Sequence, residues 1–267
     1  WNGAQPLTGL RVAYTRDLGY IRTDQDVQEA FDSMLGLLAE HGVELIEDHP
    51  HLPDPGDLWY TLASADNVAT QGELLATGKV GDGVIDLITA GESVSGPQYA
   101  SARIDQHDYS VAWQRFLSRY DFFLTPTMEC AAFPAHLDQP DVIGGLPVRG
   151  VEEDWCQFVY PFNVSGHPAI SLPAPARSHL PHGVQAVAGR LRDIELMRFA
   201  AAVETAVGGF PRAPELGGNA GQAAARTAAH FAGEVLADGT RVRRVARWSQ
   251  SEVRVEFDEV TPPAAQD

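Results

Sequence analysis

A lysine that serves as a catalytic base must give up its proton, and this chain holds a single lysine, Lys79. It sits in Thr77-Gly78-Lys79-Val80-Gly81-Asp82, between glycines and beside an acid, a setting that favours a solvated, charged side chain over a buried neutral one. Ser165 and His167 lie two positions apart, but a nucleophile and its base normally meet through folding, so this pair reads as structural. His49-Pro50-His51, next to Glu47 and Asp48, has metal-binding residue types. The HExxH spacing of a helical zinc site is absent, and a plain loop with no metal is expected there. Cys130 and Cys156 form no CxxC pair, and Cys130 has no basic neighbour in sequence to stabilise a thiolate. There is no G-x-S-x-G elbow, no GxGxxG and no P-loop, so no cofactor is implied.

Aromatic and polar residues gather in one stretch instead. Trp155, Cys156, Phe158 and Tyr160 stand just ahead of Asn163-Val164-Ser165-Gly166-His167-Pro168. Such a cluster either lines an acyl or leaving-group pocket or packs under a sheet, and both readings stay open. Thr125, at the end of the apolar run Phe122-Phe123-Leu124, and His167 are the next pocket candidates. Asn163 has a carboxamide able to tie down loop backbone, Gly166 permits positive φ, and Pro168 fixes the start of the next strand; all three also serve as turn scaffolding. The candidate substrate-binding set is Thr125, Trp155, Tyr160, Asn163 and His167, with no catalytic residue assigned.

Regular elements must position these residues. Leu10–Tyr14 reads as a strand. Thr23 or Asp24 can cap a following helix, whose apolar face is Val27, Ala30, Phe31, Met34, Leu35 and Leu38. Gly42 suits a left-handed helix end, and Val43–Ile46 makes a second strand, giving a βαβ unit with parallel strands. Asp57 can cap a helix to about Leu75, Gly78–Gly83 reads as flexible, and Gln98–Arg119 as a long helix. Phe122–Thr125 is a buried strand stopped by Pro126, followed by an irregular stretch from Met128 to about Val151. Strands are expected over 169–172 and 184–187, then a helix capped by Asp193. The Gly- and Pro-rich residues 211–222 read as a linker. Beyond them a tail over 223–267 begins with a helix at Ala223–Leu236. After the turn signal Asp238-Gly239 it continues with strands at Arg241–Val245 and Glu252–Phe257, and it ends in disorder from Thr261.

A formal charge of -17 repels phosphate backbones, so no nucleic-acid partner is expected. No apolar run is long enough to span a bilayer, so no membrane association is expected, and two lone cysteines suit a reducing cytoplasm.

Three segments then carry a resemblance. Tyr120-Asp121-Phe122-Phe123-Leu124-Thr125-Pro126-Thr127 resembles the "YDvlltPT" strand of the amidase-signature family. Tyr160-Pro161-Phe162-Asn163-Val164-Ser165-Gly166-His167-Pro168-Ala169-Ile170-Ser171-Leu172-Pro173 is similar to its "PfNltGhPaisvP" segment, and Pro181–Gly189 looks like its "lPvGvQlvg". The resemblance covers about Leu10 to Phe210 and implies an α/β fold, a mixed sheet flanked by helices, matching the C-terminal portion of that family's domain.

It also implies amide-bond hydrolysis of a small carboxamide. In that family a serine attacks the carbonyl, a second serine in a cis peptide relays its proton to a buried neutral lysine, and backbone N–H groups hold the oxyanion. A lysine after an apolar strand and a GGSSGG-like stretch are required. The chain has no Ser-Ser dipeptide. The segment order puts the missing part before Trp1, and a start at a residue other than Met agrees with this. The expected partner is therefore an N-terminal catalytic portion or a companion chain. The alternative is a non-catalytic remnant that binds another chain, a homo-oligomer included.

Overall fold

The apolar face predicted for the first helix is the face the fold buries. In the computed structural model Val27, Ala30, Phe31, Met34, Leu35 and Leu38 are the buried residues of α1 (Gln25–Glu40), which links the parallel strands β1 (Arg11–Tyr14) and β2 (Glu44–Glu47). The structure describes residues 3–78, 80–134, 137, 139–148, 155–175, 180–209, 230–235, 241–249 and 252–261. Two units divide the chain, Trp1–Phe210 and Pro211–Asp267.

In the first unit the sheet order is β2-β1-β3-β7-β6. β3 (Phe122–Pro126) runs parallel to β1, β7 (Gly183–Val187) antiparallel to β3, and β6 (Ala169–Pro173) antiparallel to β7. The sheet is mixed, with helices on both faces. Side chains alternate along a strand, and β3 splits its residues accordingly. Phe122 and Leu124 join a core with α1 and α6 (Asp193–Val207), where Phe122 stacks on Phe199 at 4.4 Å between ring centroids. Phe123 joins the opposite core with α4 (Gly96–Leu117) and α5 (Tyr160–Ser165), centred on Trp113 and its edge contacts to Phe116, Phe123 and Phe162. Burial on both faces explains why β3 is apolar throughout rather than alternating.

The two edges of this sheet differ. On β2, Glu44 and Glu47 pair with Arg11 and Arg16 at 3.4 and 3.0 Å, and charged edges resist strand addition. β6, Ala-Ile-Ser-Leu-Pro, carries no charge, and no described strand pairs with its outer side.

Several local expectations are corrected. Residues 78–83 are not wholly loop: Gly78 closes a 3₁₀ segment (Gly72–Thr77) in the left-handed region, and α3 (Asp82–Gly91) starts within it. α3 packs on α2 (Gly56–Gln71) so closely that a Cβ on Gly91 would strike the Ser64 carbonyl, which is why a helical glycine is kept there. The stretch after Met128 contains a hairpin, β4 (Val142–Ile143) and β5 (Leu146–Pro147), turned by Gly144 and Gly145 at φ 58 and 76. Asp24 precedes α1 but makes no side-chain cap; its carboxylate accepts the Gly144 N–H at 2.8 Å and ties the hairpin to the helix. α6 begins at Asp193, so Arg192 holds the cap position. α4 begins two residues early because Ser95 and Gln98 form a reciprocal capping box. Among the described residues no helix is long and apolar enough to cross a membrane.

The second unit is an antiparallel sheet in the order β8 (His230–Val235), β9 (Arg241–Ser249), β10 (Glu252–Thr261). His230–Val235, expected as part of a helix, is a strand; pairing with β9 outweighs the helix preference of the alanines before it. Thr261, expected to open a disordered end, closes β10. Residues 211–229, the Asp238-Gly239 turn and 262–267 lie outside the described residues, as does Lys79.

Candidate functional site

Strand register separates two ends of the sheet. β1, β2 and β3 all finish at one end, where Tyr14 lies opposite Glu47 and Leu124, and the start of β7 meets them as Val184 pairs with Pro126. Ligands of open α/β sheets gather at the carboxyl ends of the parallel strands. A pocket of about 220 Å³ lies here. Its lining comes from three places: Val27 in the first turn of α1, Met128 to Phe133 as the chain leaves β3, and Pro181, His182 and Gly183 at the start of β7, joined by Trp155.

Gly183 is required by close packing. Its Cβ would fall 2.6 Å from Ser171 Oγ and 2.7 Å from Thr127 Oγ1, two hydroxyls already 2.7 Å apart. Behind the lining, Thr125 is fully buried. Its hydroxyl donates to the Pro126 carbonyl at 2.7 Å and accepts from Gln185 Nε2 at 3.1 Å; Gln185 also donates to the Phe158 carbonyl at 3.0 Å. Buried Glu129 Oε1 accepts the Phe158 N–H at 3.2 Å, and the Glu129 carbonyl accepts the Asp24 N–H at 2.8 Å. These bonds bind the exit of β3, the start of α1 and the segment before α5 into one support.

The wall is mostly apolar, with Phe133 and Trp155 edge-to-face at 5.2 Å. His182 is 6% exposed, and its Nε2 is 3.4 Å from Asp26 Oδ2 without hydrogen-bond geometry. Among the described residues neither His182 Nε2 nor Trp155 Nε1, both buried, has a hydrogen-bond partner. Burial pushes the Cys130 thiol up to about 11, assisted by the charges of Asp24, Glu129 and Asp26, which disfavours the thiolate form.

The other end of the sheet holds His167, enclosed by α4. Gln114 Oε1 accepts the Arg190 N–H at 3.2 Å and so also accepts from His167 Nε2 at 3.1 Å; Nδ1 then accepts the Ser165 hydroxyl at 2.9 Å. The α4 side chains also serve the end of α5: Gln106 donates to the Val164 carbonyl and Ser110 to the Ser165 carbonyl, each at 2.9 Å. Burial, reinforced by the nearby Arg190 charge, lowers the His167 pKa to about 4, so the ring is neutral at pH 7.

The expected site residues therefore scatter. Trp155 lines the pocket and Thr125 lies in its support. Tyr160 is buried, stacked on Trp59 at 4.6 Å and 3.0 Å from Cys156 Sγ. Asn163 is exposed on α5, and His167 belongs to the far end. Ser165 and His167, read from sequence as no dyad, do meet, but Ser165 is 2% exposed and His167 5% exposed. His49 and His51 lie with ring centroids 4.0 Å apart and planes tilted by 56°, and among the described residues no three His, Cys, Asp or Glu side chains converge on a metal position. Sequence reasoning missed Val27, Met128, Phe133 and His182. A signal existed for His182, which occupies the apolar position of the "lPvGvQ" pattern.

The profile of the family described as Amidase matches residues 1–197. An acylamidase of Rhodococcus erythropolis is 29% identical over 201 residues, covering 73% of this chain and 42% of that protein. A glutamyl-tRNA(Gln) amidotransferase subunit of Orientia tsutsugamushi (strain Boryong) is 24% identical over 239 residues, covering 76% and 46%. The solved structure of a bacterial aryl acylamidase, described as one of the amidase-signature enzymes, superposes with a TM-score of 0.65 at 23% identity. It covers 76% of this chain and 44% of that one, and shows a shared fold. The chain spans less than half the length of these relatives.

Proposed function

The chain belongs to the amidase family, and from that premise we propose that it forms the substrate-binding portion of an amide-bond hydrolase whose serine pair and catalytic lysine are supplied by other residues. The carrying observation is a mostly apolar pocket at the carboxyl ends of the strands in a chain with no Ser-Ser dipeptide and a single lysine. The substrate is a small carboxamide. Trp155 contacts it, Thr125 and Tyr160 brace the wall, Asn163 faces the companion from α5, and His167 maintains the fold. The uncharged outer side of β6 suits strand addition by that companion. Residues 1–210 carry this role, 211–222 link them to the appended segment 223–267, and two free cysteines fit a reducing cytoplasm.

Native isolation, intact mass, sequencing of co-purifying polypeptide and an amine-release assay on small anilides and carboxamides test this reading. The expected result is a companion bearing a lysine and a Ser-Ser stretch, no turnover by the chain alone, and turnover by the pair. Turnover by the isolated chain would overturn it. A lone 28.9 kDa species without activity would also overturn it, leaving a binding protein.

A further inference from the structure

Register sets Thr125, Gln185 and Ser171 side by side on β3, β7 and β6, and Thr127 beside Gly183 one step further along the same face of the sheet. The inner row is closed. Thr125 and Gln185 are buried and spend their hydrogens on each other, on the Phe158 carbonyl and on the Pro126 carbonyl. The outer pair is open: Thr127 is half-buried, Ser171 is exposed, and their hydroxyls meet at 2.7 Å. Strands two apart lie about 10 Å from each other, so these side chains meet only by leaning across β7. Gly183 permits the crossing, because a Cβ there would fall 2.6 Å from Ser171 Oγ and 2.7 Å from Thr127 Oγ1. The backbone of Gly183 also lines the pocket, so the hydroxyl pair stands at its rim.

Each hydroxyl can donate once and accept through its lone pairs. One O–H is spent inside the pair, on whichever oxygen accepts. The accepting hydroxyl keeps its own O–H to donate outward, and the donating one keeps lone pairs to accept. A donor and an acceptor are thus held side by side next to an apolar pocket. A ketone or ester uses only the donor. An amide whose C=O and N–H lie on the same side uses both. We propose that the Thr127–Ser171 pair binds the amide group of a ligand whose apolar end fills the pocket, one hydroxyl donating to the carbonyl and the other accepting the N–H. This deepens the reading of the pocket as a substrate site and rests on it, but its test needs no turnover, so the two can fail separately.

Dissociation constants are measured calorimetrically on the natively isolated protein, with any companion retained, for three probes of one outline. These are indane, 1-indanone and isoindolin-1-one, a lactam whose C=O and N–H lie on the same side. The lactam is expected to bind about fivefold tighter than the ketone, and the ketone about fivefold tighter than indane, one hydrogen bond for each step. In Ser171→Ala the lactam weakens about fivefold while indane binds as before, which shows that the pocket is still formed. Thr127→Val, of the same outline, weakens the lactam to a similar extent, and Thr127→Ser, which keeps the hydroxyl, retains its affinity. Equal binding of lactam and ketone, or lactam affinity unaltered in both Ser171→Ala and Thr127→Val, would overturn the proposal. So would indane weakening as much as the lactam in those variants, which would mean that the pair only braces the wall, or no binding of any probe.

Discussion

His167 and His182 sit at opposite ends of the same sheet, both about 95% enclosed, and the protein treats them in opposite ways. His167 has both nitrogens engaged, by Ser165 and Gln114, and helps seal α5 against α4. His182 has an enclosed nitrogen with no hydrogen bond among the described residues and stands on a cavity wall. Burial alone therefore does not tell how a histidine is held. The difference lies in whether hydrogen bonds from the surrounding chain fix both ring nitrogens.

This contrast can be broken by mutation, starting with the largest effect. Trp113→Ala, at the centre of the far-end core, should cost about 3–5 kcal/mol by denaturant unfolding, whereas Phe133→Ala on the pocket wall should cost well under half of that. Similar losses at both positions would mean that the two ends are equally packed. His167→Leu strands the Ser165 hydroxyl and should cost about 1–3 kcal/mol by the same measurement.

The titration of His167 sharpens the point. Its folded pKa is lowered to about 4 from an ordinary 6.5, so the unfolded chain takes up the proton first. The associated stability is fully present above pH 6.5 and is lost as pH falls toward 4. The loss is on the order of 2 kcal/mol after allowance for solvent screening. Unfolding midpoints across that window should fall in the wild type and flatten in His167→Leu. Smaller still is Thr125→Val, which removes two hydrogen bonds behind the pocket and should cost about 1 kcal/mol. Smallest is His182→Val: replacing a nitrogen without a hydrogen bond by carbon should change stability by no more than about 0.5 kcal/mol in either direction. A large loss there would mark His182 as structural.

The legible parts of this molecule are those whose physics is local. The face of α1 repeats at helical spacing, and β3 is an apolar run stopped by proline, so both could be read along the chain. The three family-like segments fall on β3, on α5 with β6, and on β7, which is why the resemblance led to the right fold. The pocket could not be read this way. Val27, Met128, Trp155 and His182 come together only through strand pairing and the hairpin bound to Asp24, and no sequence spacing encodes that convergence. The surroundings of His167 were hidden for a related reason: its neighbours Gln114 and Arg190 lie on distant segments. α3 was hidden by the glycines before it, and α5 by a segment dense in turn-forming residues.

The uncharged edge of β6 also has a colloidal consequence. At neutral pH a net charge of -17 keeps copies of this chain apart. As acid neutralises the carboxylates that repulsion fades, while the row of backbone groups along Ala169–Pro173 keeps its capacity to pair. Mild acidification should therefore drive self-association through this strand before the fold is lost, and a bound companion strand should suppress it.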